Sequence, residues 1–181
     1  MRARQEPCLV IRPCRRADLR ALEWGAALRA DRPLIEWVFA RTAGADMVML
    51  IATIGRDRIG QVWLDFTRKP ETAVLWALRV KPSWRGRGIG TLLIAAAERE
   101  ARRLGARFAE LAVEDDNPRA RRLYERLGYR RVAREAAVDA VSGVPLGFDL
   151  EVLQRRLDGA RLPVTGTRDR GARRGYGGTR H

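Results

Sequence analysis

The chain has 181 residues, 46% of them apolar, enough for one good hydrophobic core, so one domain is the natural count. With 36 Lys plus Arg against 22 Asp plus Glu the formal net charge is +14, and acidic partners are expected; phosphate-rich coenzymes qualify as well as nucleic acid does. There is no 18-residue apolar run, no apolar segment behind the first arginines, and only His181, Cys8 and Cys14 as soft ligands, so a membrane span, a signal peptide, a disulfide framework and a metal site are not expected, and a cytoplasmic location is.

In chain order, residues 8–12 form a short apolar run ended by Pro13 and read as a first strand. Leu19, Leu22, Ala26 and Leu28 recur at helical spacing to about residue 30, and Pro33 opens a second short helix through Ile35, Trp37, Val38 and Phe39. Residues 47–54 and 59–67, joined by Gly55-Arg56-Asp57-Arg58, predict a hairpin with Val62, Leu64 and Phe66 on one face. Residues 72–80 make the next strand, with Val74, Trp76, Leu78 and Val80 expected on one face and Leu75, Ala77 and Arg79 on the other.

That strand breaks at Pro82 and turns through Arg85-Gly86-Arg87-Gly88-Ile89-Gly90-Thr91 into a helix. Ile89, Leu92, Leu93, Ala96, Ala97 and Leu104 follow the helical period, and Gly105 stops it. Three glycines at alternate positions permit φ > 0 and leave no side chain to hold a ligand away, so several N–H groups can point at one anion. The first unpaired N–H groups of the helix and its positive dipole end face the same spot, which makes it a phosphate site flanked by Arg85 and Arg87. An ordinary tight strand-to-helix turn would use the same glycines. The G-x-G-x-G spacing does not fit the dinucleotide fingerprint, and no Gly-Lys-Ser/Thr follows to make a P-loop.

Residues 106–113 predict another strand. Asn117 is a good N-cap, Pro118 suits the first helical position, Ala120, Leu123, Tyr124 and Leu127 share a face, and Gly128 with Tyr129 reads as a Schellman stop. Residues 129–138 and 146–153, separated by Ser142-Gly143-Val144-Pro145, predict the last antiparallel pair. From Asp158 the composition changes: residues 158–181 hold six arginines, two aspartates and repeated glycine, and read as a disordered tail behind a single domain of residues 1–157.

Read together, Arg85-x-x-Gly88-x-Gly90 and Asn117-x-x-Ala120-x-x-Leu123-Tyr124-x-x-Leu127-Gly128-Tyr129 resemble the GCN5-related N-acetyltransferases, the GNAT family. The strong part of the likeness covers residues 71–130. It implies an α+β fold: a mixed, mainly antiparallel sheet of about seven strands, helices on both faces, and two central strands, residues 72–80 and 106–113, that run parallel and splay apart. It implies acetyl-coenzyme A as co-substrate in that opening. The pantetheine arm would bond the backbone of Leu78, Arg79 and Val80. The pyrophosphate would rest on the amides of Arg85, Gly86, Arg87, Gly88, Ile89, Gly90 and Thr91. Asn117 would bond the coenzyme or cap its helix, and Tyr124 would stand near the sulfur as general acid; a tyrosine packed on a helix face is the alternative.

Ribosomal-protein N-terminal acetyltransferases of this family carry a glutamate five residues before the motif asparagine, where this chain has Ala112. The nearest carboxylates are Glu114, Asp115 and Asp116, with Asp65 and Glu71 on or near neighbouring strands, and a water chain serves as well as any of them. The resemblance thus implies an acetyl-coenzyme A dependent N-acetyltransferase for a small-molecule or peptide amine, monomeric or homodimeric. A coenzyme-binding sensor without turnover is the reading from another class. A nucleic-acid binder using the Arg/Gly tail with Trp63, Trp76 and Trp84 is a weaker third. The acceptor side would involve residues 17–42 and the last hairpin, with Trp24, Glu36, Trp37 and Arg79 as candidates.

Overall fold

The computed structural model describes residues 8–22, 32–138 and 144–157. The expected tail at residues 158–181, the candidate Trp24 and the Ser142-Gly143 turn lie outside the described residues. Seven strands form one sheet: β1 (Leu9–Pro13), β2 (Met47–Ile54), β3 (Asp57–Asp65), β4 (Thr72–Val80), β5 (Phe108–Glu114), β6 (Arg130–Val138) and β7 (Pro145–Arg156). Their order across the sheet is β1-β2-β3-β4-β5-β7-β6, and β4 with β5 is the parallel pair among antiparallel neighbours. The mixed sheet of seven strands is therefore the one expected. The β2–β3 turn is tighter than the four residues anticipated, because Asp57 and Arg58 already pair with Ile54 and Thr53.

Helices cover both faces. On one side α1 (Arg32–Arg41) and a 3-10 helix (Arg16–Leu22) bring Ile35, Val38 and Leu22 over Met49, Ile51 and Trp63. The described part of the helix expected over residues 17–30 is thus 3-10 rather than α. Its start is fixed by Asp18, 1% exposed, which accepts from Arg12 Nη1 (2.7 Å), Arg58 Nε (2.8 Å) and the Arg15 N–H (2.9 Å). Arg12 above all holds that carboxyl far below the usual carboxylate range, against the opposing effect of burial.

On the other side, α2 (Ile89–Arg103) and α3 (Pro118–Arg126) pack Ile89, Leu93, Ile94, Ala97 and Tyr124 against Val62, Leu64, Ala73, Leu75 and Leu111. Each fully buried aliphatic side chain there contributes roughly 1.5–3 kcal/mol. Gly60 lets α2 come this close, since a Cβ on it would sit 2.8 Å from Leu93 Cδ1. Asn117 Oδ1 accepts the Ala120 N–H (3.1 Å) and caps α3. The expected Schellman stop is present: the Gly128 N–H reaches Glu125 O (2.9 Å) and the Tyr129 N–H reaches Tyr124 O (3.0 Å).

The two central strands pair only from Thr72 with Phe108 to Leu75 with Leu111, after which β4 and β5 separate. A bulge sits where they part. Gln61 pairs with Arg79 but Trp63 pairs with Trp76, so β4 carries one residue more than β3 over this stretch, and Ala77 takes φ +49°. This corrects the expected faces of β4. Leu75 packs under α2, Trp76 and Ala77 pack against the opposite cluster, and Leu78 and Val80 return to the α2 side, because the extra residue shifts the alternation. A left-handed alanine costs about 1–2 kcal/mol, which the packing on both faces offsets.

Candidate active site

The separated strands and the two helices enclose a groove of about 740 Å³. Leu78, Arg79 and Val80 line it from β4, Arg85, Gly86, Gly88, Ile89, Gly90 and Thr91 from the glycine turn, and Asn117 and Tyr124 from α3. Of the residues expected to meet the coenzyme, Arg87 alone does not line it; its guanidinium lies over the Trp84 ring, 4.8 Å from the centroid. Among the described residues, the N–H groups of Gly86 to Thr91 meet no backbone carbonyl, while that of Leu92 reaches Gly88 O (3.1 Å) and begins the helical ladder. Gly86 and Gly88 take φ +78° and +77°, and a Cβ on either would meet nothing within 4 Å, so these amides line open space.

Arg85 differs from expectation. Its N–H is taken by Pro82 O (3.2 Å), because the 3-10 turn Pro82–Trp84 closes on it, and its Nε donates to Val80 O (3.1 Å). The run of amides that meet no backbone carbonyl therefore starts at Gly86. The Val80 carbonyl retains a second lone pair.

Behind the groove, where the strands part, lies a cavity of about 180 Å³ lined by Val62, Leu75, Trp76, Ala77, Leu78, Ile94, Leu111, Ala112 and Tyr124. Leu78 and Tyr124 belong to both walls, so Tyr124 stands at the junction of groove and cavity. Burial pushes its hydroxyl pKa above the ordinary value, which keeps the proton on the oxygen at neutral pH. Its ring packs at 6.3 Å from that of Tyr129, whose hydroxyl donates to Glu98 Oε1 (3.1 Å). Arg155 Nη1 holds both oxygens of Glu98 at 3.0 Å, so the ring beneath Tyr124 is tied to α2 and β7 at once.

A family model for the acetyltransferase (GNAT) family matches residues 14–129. The chain belongs to the GNAT family. An uncharacterized N-acetyltransferase of Methanocaldococcus jannaschii is 42% identical over 67 residues, which span 37% of this chain and 30% of that protein. A mycothiol acetyltransferase of Beutenbergia cavernae is 37% identical over 89 residues, 48% of this chain and 28% of that protein. The match thus spans less than a third of either relative. Among solved structures, YncA from Salmonella typhimurium with its cofactor acetyl-CoA has a TM-score of 0.64 at 22% identity, over 86% of this chain and 97% of that one; the likeness is one of fold.

The lining of this GNAT domain fits acetyl-coenzyme A piece by piece. Among the described residues no Asp or Glu lines the groove, which suits a polyanion; the edge of β4 beyond Leu75, where β5 no longer pairs with it, suits an extended amide arm; and the cavity has room for an acetyl group. The carboxylates considered as bases lie elsewhere. Glu71 pairs with Arg107 (3.2 Å) at the far end of β4, and Asp65 accepts from the Thr67 N–H (2.8 Å) and Arg68 Nε (3.0 Å). Asp115 pairs with Arg134, and Glu114 and Asp116 are exposed at the end of β5. Ala112 does line the cavity, so the position where some relatives place a glutamate faces the site here without one.

Several lining residues escaped the sequence reading. Arg119, Leu123 and Arg126 line the groove at helical spacing, a signal the sequence contains. Glu110, two residues before Ala112 on β5, lines neither the groove nor the cavity; it is buried and accepts from Lys69 and from Gln154 Nε2 (3.2 Å). On the acceptor side, Glu36 pairs with Arg32 (3.2 Å) and Trp37 is half exposed beneath Arg41. Trp63 is buried edge-on to Trp76 at 4.9 Å, which removes it as a stacking platform for bases.

Proposed function

We propose that the chain is an acetyl-coenzyme A dependent N-acetyltransferase that moves the acetyl group directly to an amine. The supporting observation is a groove that no carboxylate lines among the described residues and that meets, at Tyr124, a cavity with room for an acetyl group. The amides of Gly86 to Thr91 hold the pyrophosphate, the edge of β4 at Leu78 to Val80 orders the pantetheine arm, and Asn117 lines the same wall while capping α3.

Transfer to a neutral amine breaks the thioester C–S bond and forms the amide C–N bond, and the one proton the nitrogen gives up passes through water to the departing thiolate, so that the products are the amide and free thiol. Tyr124 hydrogen-bonds the departing sulfur. Ordinary solution values of ~8.5 for a thiol and ~10 for tyrosine already place complete proton transfer roughly 2 kcal/mol uphill, and burial raises the tyrosine further, so stabilisation of the thiolate by a retained proton is the larger part of its role. Among the described residues no carboxylate lines the cavity to deprotonate an ammonium, which favours an amine that arrives neutral. At pH 7 the ordinary basicities of the two groups leave about one in seven α-amino groups uncharged and about one in 2,500 lysine side chains. An acceptor of lowered pKa follows.

The test is release of free thiol from acetyl-coenzyme A in the presence of peptide N-termini, amino acids, lysine peptides, polyamines and aminoglycosides, with the product weighed by mass spectrometry. Acetylated α-amines are expected. Tight coenzyme binding with no transfer to any of these would favour a sensor, and faster transfer to ordinary lysine peptides would demand a base outside the cavity lining.

A further inference from the structure

Four arginines line the groove, Arg79, Arg85, Arg119 and Arg126, and they are not equivalent. Arg85 is bonded to Val80 O, and Arg79 already interacts within the chain. Arg119 and Arg126 meet no carboxylate among the described residues, although Arg121 on the same helix is paired with both Glu125 (3.0 Å) and Glu151 (3.1 Å). The spacing 119, 123, 126 puts the two unpaired guanidiniums and Leu123 along one side of α3. Leu123 lies level with the start of α2, since a Cβ on Gly90 would be 4.0 Å from its Cδ2. Arg119 and Arg126 are therefore each about 5 Å along the helix from the level of the amide cradle, one on either side.

We propose that Arg119 and Arg126 form a second anion subsite beside the cradle and that it takes the 3′-phosphate of coenzyme A. This rests on the coenzyme reading above and adds what selects the coenzyme's phosphorylated form. The cradle of backbone N–H groups serves the pyrophosphate. A phosphate monoester carries nearly two further negative charges at pH 7, and the planar fork of a guanidinium matches its oxygens. Two long side chains about two helical turns apart can converge on one anion, and among the described residues the wall contains no Asp or Glu to compete.

The experiment is calorimetric titration of coenzyme A and of 3′-dephospho-coenzyme A into wild type, R119Q, R126Q and R119Q/R126Q. Both side chains are exposed and glutamine is a good helix former, so the fold is retained. Wild type should bind coenzyme A about tenfold or more tightly than the dephospho form. R119Q/R126Q should bind the two alike, with the affinity that wild type shows for the dephospho form. Equal binding of the two coenzymes by wild type, or a full preference surviving in R119Q/R126Q, would overturn the subsite while leaving the coenzyme reading intact. Binding of neither coenzyme by wild type would overturn both.

Discussion

Leu75 and Leu111 are the last residues at which β4 and β5 pair, and the cavity begins at that point. Ala112, the next residue on β5, is exposed on its wall. Ala112→Phe should fill much of the space proposed for the acetyl group without touching the groove beyond. Displacement of a reacting group by about 1 Å costs on the order of 10²-fold, so transfer should fall at least that far while coenzyme A affinity stays near wild type. A variant that transfers acetyl at the wild-type rate would place the reacting carbon elsewhere.

Gly88→Val tests the amide cradle. At φ +77° a β-branched residue is strained by about 1–2 kcal/mol, and its side chain would project into the open space that the cradle amides face. Coenzyme affinity measured by calorimetry should weaken by about tenfold or more, with a modest loss of stability. A folded variant with unchanged Kd would remove the phosphate role from the turn.

Asp18 gives a pH-dependent prediction. Its carboxyl is held below the ordinary range chiefly by Arg12, so the stability it contributes is present above the unfolded pKa near ~4 and is lost as pH falls from there toward the depressed folded value. Asp18→Asn should cost roughly 2–3 kcal/mol at neutral pH, below the range for a fully buried pair because Arg12 and Arg58 are each 23% exposed. Urea unfolding at pH 7 and pH 3 should show the gap between wild type and variant narrowing at the lower pH. A gap of the same size at both would mean that the ion pair is not its source.

Those parts of the site that rest on short-range chemistry were legible in the sequence. The glycine turn into α2, the Asn117 cap and the Gly128 stop each follow from local backbone preferences, and each is in place. The β4 bulge was not legible, because nothing about an alanine at position 77 announces φ +49°; the conformation is imposed by packing of both sheet faces. It also undid the face assignment of Leu78 and Val80, since one inserted residue reverses every later side chain. The loss of the Arg85 amide to Pro82 O depended on how a 3-10 turn closes, and the pairing of Asp65, Glu71 and Asp115 depended on contacts distant or unforeseen in the chain.

Tyr124 carries the chemical claim, and Tyr124→Phe with acetyl-coenzyme A and a neutral α-amine tests it most directly. The substitution keeps the ring against Tyr129 and removes only the hydroxyl of a residue that lines both groove and cavity. Because that hydroxyl is proposed to meet the sulfur as charge develops on it, the loss should fall on kcat, by about 10²-fold, with KM for acetyl-coenzyme A nearly unchanged and a wild-type melting temperature. An unchanged kcat in a folded variant would contradict the account and leave Tyr124 as a packing residue of α3.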